Sequence, residues 1–142
     1  MADLSITELS AAAIAERVGR RELSPVAVIE AHLAAIAARN PVVNAICTLA
    51  AEEALSTAHA LEADLARGAV PGPLAGVPIG VKDTTETAGI RTTYGCPVYA
   101  ENVPTEDALV VQRIKRAGGI VIGKTNVPEF AAGANTYNPI FG

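Results

Sequence analysis

Apolar residues in the first half of the chain recur at helical spacing. Between Ser24-Pro25 and Asn40-Pro41 they fall three or four positions apart, at Val26, Ile29, Leu33 and Ile36. This spacing places them on one face of a helix. A serine followed by proline is a typical helix start, and the residue before a proline favours extended backbone. The pattern therefore predicts a helix that begins after Ser24 and ends at Asn40-Pro41.

Two further helices are predicted on either side of this one. The tetrapeptide from Ser5 to Glu8 matches a capping box, and the helix that follows it ends at Gly19. The alanine-rich residues 50–66 form another helix, which Gly68 ends. Residues 42–49, between these helices, are apolar and β-branched, which favours a short strand.

The second half of the chain changes to short strands and glycine-rich turns. Val77 to Val81 and Ile120 to Ile122 are predicted strands, and residues 106–117 form a helix with acidic residues first and basic residues last. Residues 84–100 are predicted as a loop, and loops of that length are usually functional. Helices alternating with short apolar strands predict an α/β fold.

Charge and composition exclude several classes of protein. The net charge of −4 over 142 residues shows no electrostatic footprint for nucleic acid or for an anionic membrane. Apolar runs are interrupted before the roughly 18 residues of a membrane span, and the acidic start does not fit a signal peptide. Two cysteines, Cys47 and Cys96, make no disulfide framework. These features predict a cytoplasmic location.

One apparent nucleotide-binding motif is rejected. Gly118 and the later Gly123-Lys124-Thr125 have the spacing of a P-loop. A P-loop needs a strand before its first glycine and a phosphate-wrapping loop between the glycines. Here a predicted helix precedes Gly118, and the residues between the glycines are themselves the predicted strand. An NTPase is therefore not predicted.

Lys82 is the candidate catalytic residue. It follows an apolar, glycine-lined strand, and burial there would disfavour the ammonium form and favour a neutral amine that acts as a general base. The alternative is a surface ion pair with Asp83 or Glu86. Spacing alone favours this ion pair, because buried lysines are rare.

Several motifs, taken together, favour a catalytic role for Lys82 over the surface ion pair. The chain contains, in order, PLAGVPIGVKD, AGIRTTYG and PTEDALVVQRIKRAGGIVIGKTNVPEFAAGANTYNPIFG. In this order they resemble the amidase signature family of serine hydrolases, continuously from about Pro71 to Gly142, and the helical residues from Ser5 to Gly68 also resemble that family's N-terminus. The resemblance implies that Lys82 is the family's catalytic lysine.

The resemblance also implies a reaction. In the family this lysine deprotonates a serine held on a cis peptide, which relays the proton to a second, nucleophilic serine that attacks an amide carbonyl. Both serines come from a downstream Gly/Ser-rich segment, whereas this chain has no serine after Ser56. We therefore expect one third of the triad here, an inactive isolated chain, and no metal or organic cofactor.

The resemblance predicts helices packed on part of a mixed β-sheet, an incomplete amidase-signature fold. Residues 1–142 would be the N-terminal portion of a single domain, with 1–67 a helical lead-in and 68–142 the α/β segment that carries Lys82. The expected substrate is a small-molecule amide. The expected partner is the missing C-terminal portion of the fold or a second copy of the chain.

Two other functions remain open at this stage. The first is the amidase subunit of a tRNA-dependent amidotransferase, which delivers ammonia to a partner subunit. The second is a truncated, non-catalytic fragment, whose sheet edges would be unpaired and whose apolar surface would be exposed.

The remaining candidate residues have simpler interpretations. Lys124 and Thr125 are expected to position adjacent loops, Asn126 to cap the next helix, and Cys96 to fill space. Neither histidine has a partner at ligand spacing, so a metal site is not predicted at His32 or His59. Three loop residues are candidates to line a substrate pocket, namely Thr92, Thr93 and Tyr94.

Overall fold

The computed structural model describes residues 3–142. The helices are α1 (Ala11–Gly19), α2 (Pro25–Val43), α3 (Ala51–Ala66) and α4 (Leu109–Arg116). The strands are β1 (Ile46–Leu49), β2 (Pro78–Lys82) and β3 (Ile120–Thr125). Short 3₁₀ turns occupy Leu4–Glu8, Pro97–Tyr99 and Glu129–Ala131. The elements form a mixed α/β fold, as the sequence predicted.

The three strands form one sheet with β3 at its centre. The order is β1-β3-β2, with β1 antiparallel and β2 parallel to β3. Because β2 and β3 are parallel, the chain between them crosses over one face of the sheet, and α4 lies in that crossover. The edge positions of β1 and β2 leave each of them with one strand neighbour among the described residues.

Both faces of β3 are buried. Ile120 and Ile122 pack with Ile29 of α2 and with two alanines of α3. Val121 points the other way and packs with Val111 of α4. This alternation follows from the two-residue period of a strand. Helices α2 and α3 therefore cover one face of the sheet and α4 the other.

The first helix begins later than the sequence predicted. The capping-box residues from Ser5 to Glu8 form a 3₁₀ turn, and the Asp3 carboxylate accepts a hydrogen bond from the Ser5 backbone N–H. Helix α1 begins at Ala11, where the Ser10 hydroxyl accepts a hydrogen bond from the Ala13 backbone N–H. Ser10 satisfies an N–H at the true helix start, so the capping box is not needed there.

Helix α2 begins as predicted but passes through Pro41 to end at Val43. Proline lacks a backbone N–H and so removes one helical hydrogen bond, but only two helical residues follow Pro41 in α2. The chain then turns at Asn44, which has a left-handed φ of 48°. The predicted end at Asn40-Pro41 was therefore wrong, and the predicted strand shortens to Ile46–Leu49.

Helix α2 also bears on the membrane expectation. It is 19 residues long with a mean hydropathy of 1.3, so by length and composition it is long and apolar enough to cross a membrane. Counting uninterrupted apolar runs missed it, because Glu30 and Arg39 interrupt the run. The same criteria are met by core helices, and α2 packs along α3 here.

The start of α2 gives a first prediction. The Ser24 hydroxyl accepts hydrogen bonds from the backbone N–H groups of Val26 and Ala27 and donates one to the Glu62 carboxylate. We expect Ser24→Ala to lower the free energy of unfolding by about 1 kcal/mol. Ser56, exposed within α3, is the matched control, and Ser56→Ala should change stability by less than about 0.5 kcal/mol in denaturant titration. Equal effects of the two substitutions would contradict the capping role.

Candidate active site

Lys82 is the last residue of β2 and its side chain is exposed. Its ammonium makes no hydrogen bond or ion pair with any residue that the structure describes. The predicted burial of Lys82 was therefore wrong, because β2 is an edge strand and its end is open to solvent. The predicted ion pair was also wrong: the Asp83 carboxylate binds Thr93, and the Glu86 carboxylate binds the Tyr94 hydroxyl.

The buried lysine is instead Lys124 of β3, which is fully buried. Its Nζ donates hydrogen bonds to Thr87 Oγ1 (3.0 Å), Thr92 Oγ1 (2.7 Å) and the Thr85 backbone carbonyl (2.5 Å). All three acceptors belong to the loop that follows Lys82. The prediction that Lys124 positions a neighbouring loop is confirmed by these contacts.

The hydrogen-bond pattern fixes the protonation state of Lys124. The Thr87 hydroxyl donates to the Thr85 carbonyl (3.1 Å), and the Thr92 hydroxyl donates to the Ile90 carbonyl (3.0 Å). Each hydroxyl therefore has only an acceptor site left for Lys124. Three acceptors require three N–H donors, and only the ammonium form has three.

Burial and a nearby carboxylate act on Lys124 in opposite directions. Desolvation by burial lowers the pKa of Lys124 from 10.5 to about 8, and the negative charge of Asp83 opposes this shift. The ammonium therefore predominates at pH 7. With every N–H donor occupied, Lys124 has no lone pair with which to take a proton from a substrate, so it is unsuited to the role of general base.

Asp83 is the second buried charge at this end of the sheet, and its side chain is also fully buried. Its Oδ2 accepts hydrogen bonds from the Thr93 backbone N–H (3.1 Å) and the Thr93 hydroxyl (2.5 Å). Its Oδ1 is buried without a hydrogen-bond partner among the described residues. Asp83 thus ties the end of β2 to the middle of the loop.

These contacts change the assignment of the loop threonines. Thr92 and Thr93 were candidates to line a substrate pocket, but both are fully buried. They bind Lys124 and Asp83 instead, so that prediction was wrong for both. Tyr94 remains a candidate, because its ring is half-buried and packs against two other rings at the surface.

The three rings form a surface cluster made of Tyr94, Tyr99 and Phe130. Their centroids lie 5.1 to 6.2 Å apart. Tyr94 and Phe130 both have left-handed backbone, with φ values of 55° and 51°. The Phe130 backbone N–H also donates to the Tyr94 carbonyl, which joins the loop after Lys82 to the segment after β3.

Other predicted residues take structural positions. Cys96 is buried and unpaired, and burial raises the pKa of the half-buried Cys47 thiol to about 11, which disfavours a reactive thiolate. Asn126 does not cap the next turn, which begins after Pro128. Its side chain accepts hydrogen bonds from the Val127 backbone and from Asn138.

The segment with P-loop spacing contains strand β3, which is extended where a P-loop would wrap phosphate. Within residues 3–142, no group of three or more His, Cys, Asp or Glu side chains is arranged to hold a metal ion. His32 bonds the Val28 carbonyl within α2, and His59 is exposed on α3.

The lowered pKa of Lys124 predicts a pH dependence of stability. The unfolded chain keeps this proton up to about pH 10.5, whereas the folded chain releases it near pH 8. Between these values the unfolded state binds more protons, so the free energy of unfolding rises with pH, by about 3 kcal/mol in full. In denaturant titrations across this range, the free energy of unfolding of the native protein should rise with pH relative to that of Lys124→Met.

Cys47 changes the free energy of unfolding with pH in the opposite direction, so its contribution must be subtracted to obtain that of Lys124. Its pKa is raised from 9.0 to about 11, so the folded state keeps the thiol proton longer and stability falls with pH over that range. Both proteins contain Cys47, and Lys124 is only a minor cause of the Cys47 shift, so the difference between them reports mainly on Lys124. The same slope in both proteins would contradict the assignment.

Relatives of known function share much of this sequence. The Amidase family model matches residues 27–142. The glutamyl-tRNA(Gln) amidotransferase A subunit of Carboxydothermus hydrogenoformans is 43% identical over 133 residues, which cover 94% of this chain and 27% of that protein. The corresponding protein of Streptomyces avermitilis is 41% identical over 99% of this chain and 28% of its own length. The chain therefore spans little more than a quarter of the length of these relatives.

Solved structures show the same fold. A bacterial aryl acylamidase of the amidase signature family superposes with a TM-score of 0.88 at 30% identity, over 94% of this chain and 28% of that one. A peptide amidase from Stenotrophomonas maltophilia gives a TM-score of 0.85 at 30% identity, again over 94% of this chain and 28% of the other. The arrangement of α1–α4 and β1–β3 is thus found within larger folds.

Proposed function

This chain belongs to the amidase signature family, and on that premise we propose that Lys82 is the general base of a protein that hydrolyses amides. One observation supports the choice of lysine. The chain has three lysines; Lys124 has all its donors occupied inside the fold, and Lys115 pairs with Asp107 at 2.7 Å. Lys82 alone among them projects a partner-free ammonium, within the described residues, from the end of a sheet strand.

The proposed reaction uses Lys82 to move a proton. Its neutral amine takes the proton of one serine hydroxyl, that serine takes the proton of a second serine, and the oxygen of the second serine attacks the amide carbonyl. The proton held by Lys82 then returns through the first serine to the leaving amine or ammonia. Water then releases the acid. The chain's own four serines do not fill these roles. Ser10 and Ser24 cap helices and Ser56 lies within α3. The Ser5 hydroxyl donates to the Asp3 carboxylate in the first 3₁₀ turn. We place both hydroxyls in a further part of the same fold, with residues 1–142 as the N-terminal portion of one domain.

The sequence relatives favour one form of this activity. Identity is 41% and 43% with the two amidotransferase subunits, against 30% with the two solved amidases. This difference supports a protein that releases ammonia from an amide for transfer by a partner subunit. The second candidate is a free amidase, which is supported by the high structural similarity to the aryl acylamidase and the peptide amidase. We keep the cytoplasm as the proposed location.

One assay separates the two forms. The complete protein is incubated with glutamine, with a simple aliphatic amide and with an aryl amide, and ammonia or amine release is measured. An amidotransferase subunit should release ammonia from glutamine, and faster when its partner subunits are present. A free amidase should hydrolyse simple amides without partners. No release from any of these amides, with or without partners, would overturn the proposed activity.

A further inference from the structure

We propose that Lys124 is a positioning residue, whose buried ammonium holds the turn after Lys82 and thereby fixes the backbone from which the Lys82 side chain projects for proton transfer. This inference rests on the proposed function of Lys82. It concerns Lys124, the buried charge on the strand next to β2. Lys124 itself takes no direct part in the proposed proton transfer.

The register places the two lysines on opposite faces of the sheet. Lys124 is paired with Val81, and Lys82 with Thr125. Val81 packs on the α4 side of the sheet with Val111, and cross-strand neighbours share a face. The β2–β3 register shifts by one residue between Ile79 and Gly80, which breaks the alternation along β3 and brings Lys124 to the α4 side with Val81. Lys82, one residue later along the strand, points the other way.

The link between the two lysines runs through a single turn. The Thr85 backbone N–H donates to the Lys82 carbonyl (2.9 Å), which closes a turn over residues 82–85. The carbonyl of the same Thr85 accepts a hydrogen bond from Lys124 Nζ. One residue thus connects the two lysines, with its N–H bound to the first and its carbonyl to the second.

The remaining contacts prevent this turn from shifting as a unit. The Asp83 backbone N–H donates to the Thr125 carbonyl (3.1 Å), and the Tyr94 N–H donates to the Asp83 carbonyl (2.9 Å). Lys124 also binds the hydroxyls of Thr87 and Thr92, farther along the loop. The backbone that follows Lys82 is therefore held at three points, while the Lys82 side chain is in solvent.

Such an arrangement should affect the reaction more than substrate binding. An error of about 1 Å in the place of a reacting group costs about a hundredfold in rate, and loss of an interaction used only in the transition state lowers kcat without raising KM. Weakening the Lys124 contacts should therefore lower kcat at nearly constant KM. A purely structural role would lower the fraction of folded protein and leave kcat per active site unchanged.

The test uses Thr92, because Lys124→Met itself risks misfolding. In the complete protein, Thr92→Val removes one acceptor of Lys124 at nearly constant volume, and Thr92→Ser keeps it. Thr57→Val, at an exposed position on α3, is the control for a threonine-to-valine change elsewhere. For each variant we would measure kcat per titrated active site, KM, and hydrogen exchange of the Thr85 amide.

We expect Thr92→Val to lower kcat about tenfold or more with KM within about twofold, and to speed exchange at Thr85. Thr92→Ser and Thr57→Val should match the native protein. Unchanged kcat in Thr92→Val, or an equal loss in Thr92→Ser, would overturn the positioning role. Full activity in Lys82→Ala would instead overturn the proposed function. The exchange rate of the Thr85 amide would still show whether Lys124 holds the turn over residues 82–85.

Discussion

Replacing Lys82 by alanine in the complete protein is expected to lower kcat for amide hydrolysis by about 10²- to 10⁴-fold, the usual contribution of a positioned general base. The Lys82 side chain is exposed and has no partner in the described part of the chain. Its removal should therefore change the free energy of unfolding by less than about 0.5 kcal/mol. Steady-state kinetics and denaturant titration of the same preparation measure both quantities.

The control for this prediction is Lys115→Ala. Lys115 is a partly exposed lysine on α4 that pairs with Asp107, so its loss should cost up to about 1 kcal/mol of stability and leave kcat unchanged. Comparable rates for native protein and Lys82→Ala would remove Lys82 from the mechanism. A rate that falls equally in both alanine variants would point to a general effect of lost positive charge.

Lys124→Met is expected to have the largest effect on stability, a loss of about 2 kcal/mol at pH 7. The substitution keeps much of the side-chain volume but leaves the buried Asp83 carboxylate without its opposing charge, and that carboxylate already has one oxygen without a partner in the described part of the chain. Lys115→Met provides the matched control, with an expected loss of at most about 1 kcal/mol.

A double-mutant cycle with Asp83→Asn isolates the charge effect. If the two buried charges stabilise one another, removing both should cost less than the sum of the single losses, with a coupling of about 0.5–3 kcal/mol. Additive losses in denaturant titration would show that Lys124 acts through its threonine contacts alone. The prediction for Lys124→Met would then be too large, since those hydroxyls keep their donor bonds in its absence.

The sequence predicted the order of helices and strands well because their cores follow local periodicity. The stripe on α2 and the apolar run of β3 are recognisable from adjacent residues alone. Strand β3 nevertheless extends to Thr125, beyond the predicted end at Ile122. Its last residues are small or polar, and their burial depends on a loop more than 30 positions away.

The two lysines show where sequence reasoning failed at the site. Apolar neighbours suggested burial for Lys82, but an edge strand leaves its end in solvent. Lys124 has equally apolar neighbours, and it is buried because three oxygens of one loop converge on it. No local pattern encodes that convergence. The threonines between residues 84 and 93 were the available signal, but their loop position suggested a pocket instead.

Because β2 is an edge strand, the protonation state of Lys82 depends on what packs beside that strand. One side of the strand is fixed by β3, and the other has no strand partner among the described residues. A segment that pairs there and also covers the end of β2 is expected to remove water from Lys82, and loss of water favours the neutral amine. Completion of the sheet would then create the base as well as bring it a hydroxyl. Under the proposed function, we expect such a protein to gain activity only once its parts have come together.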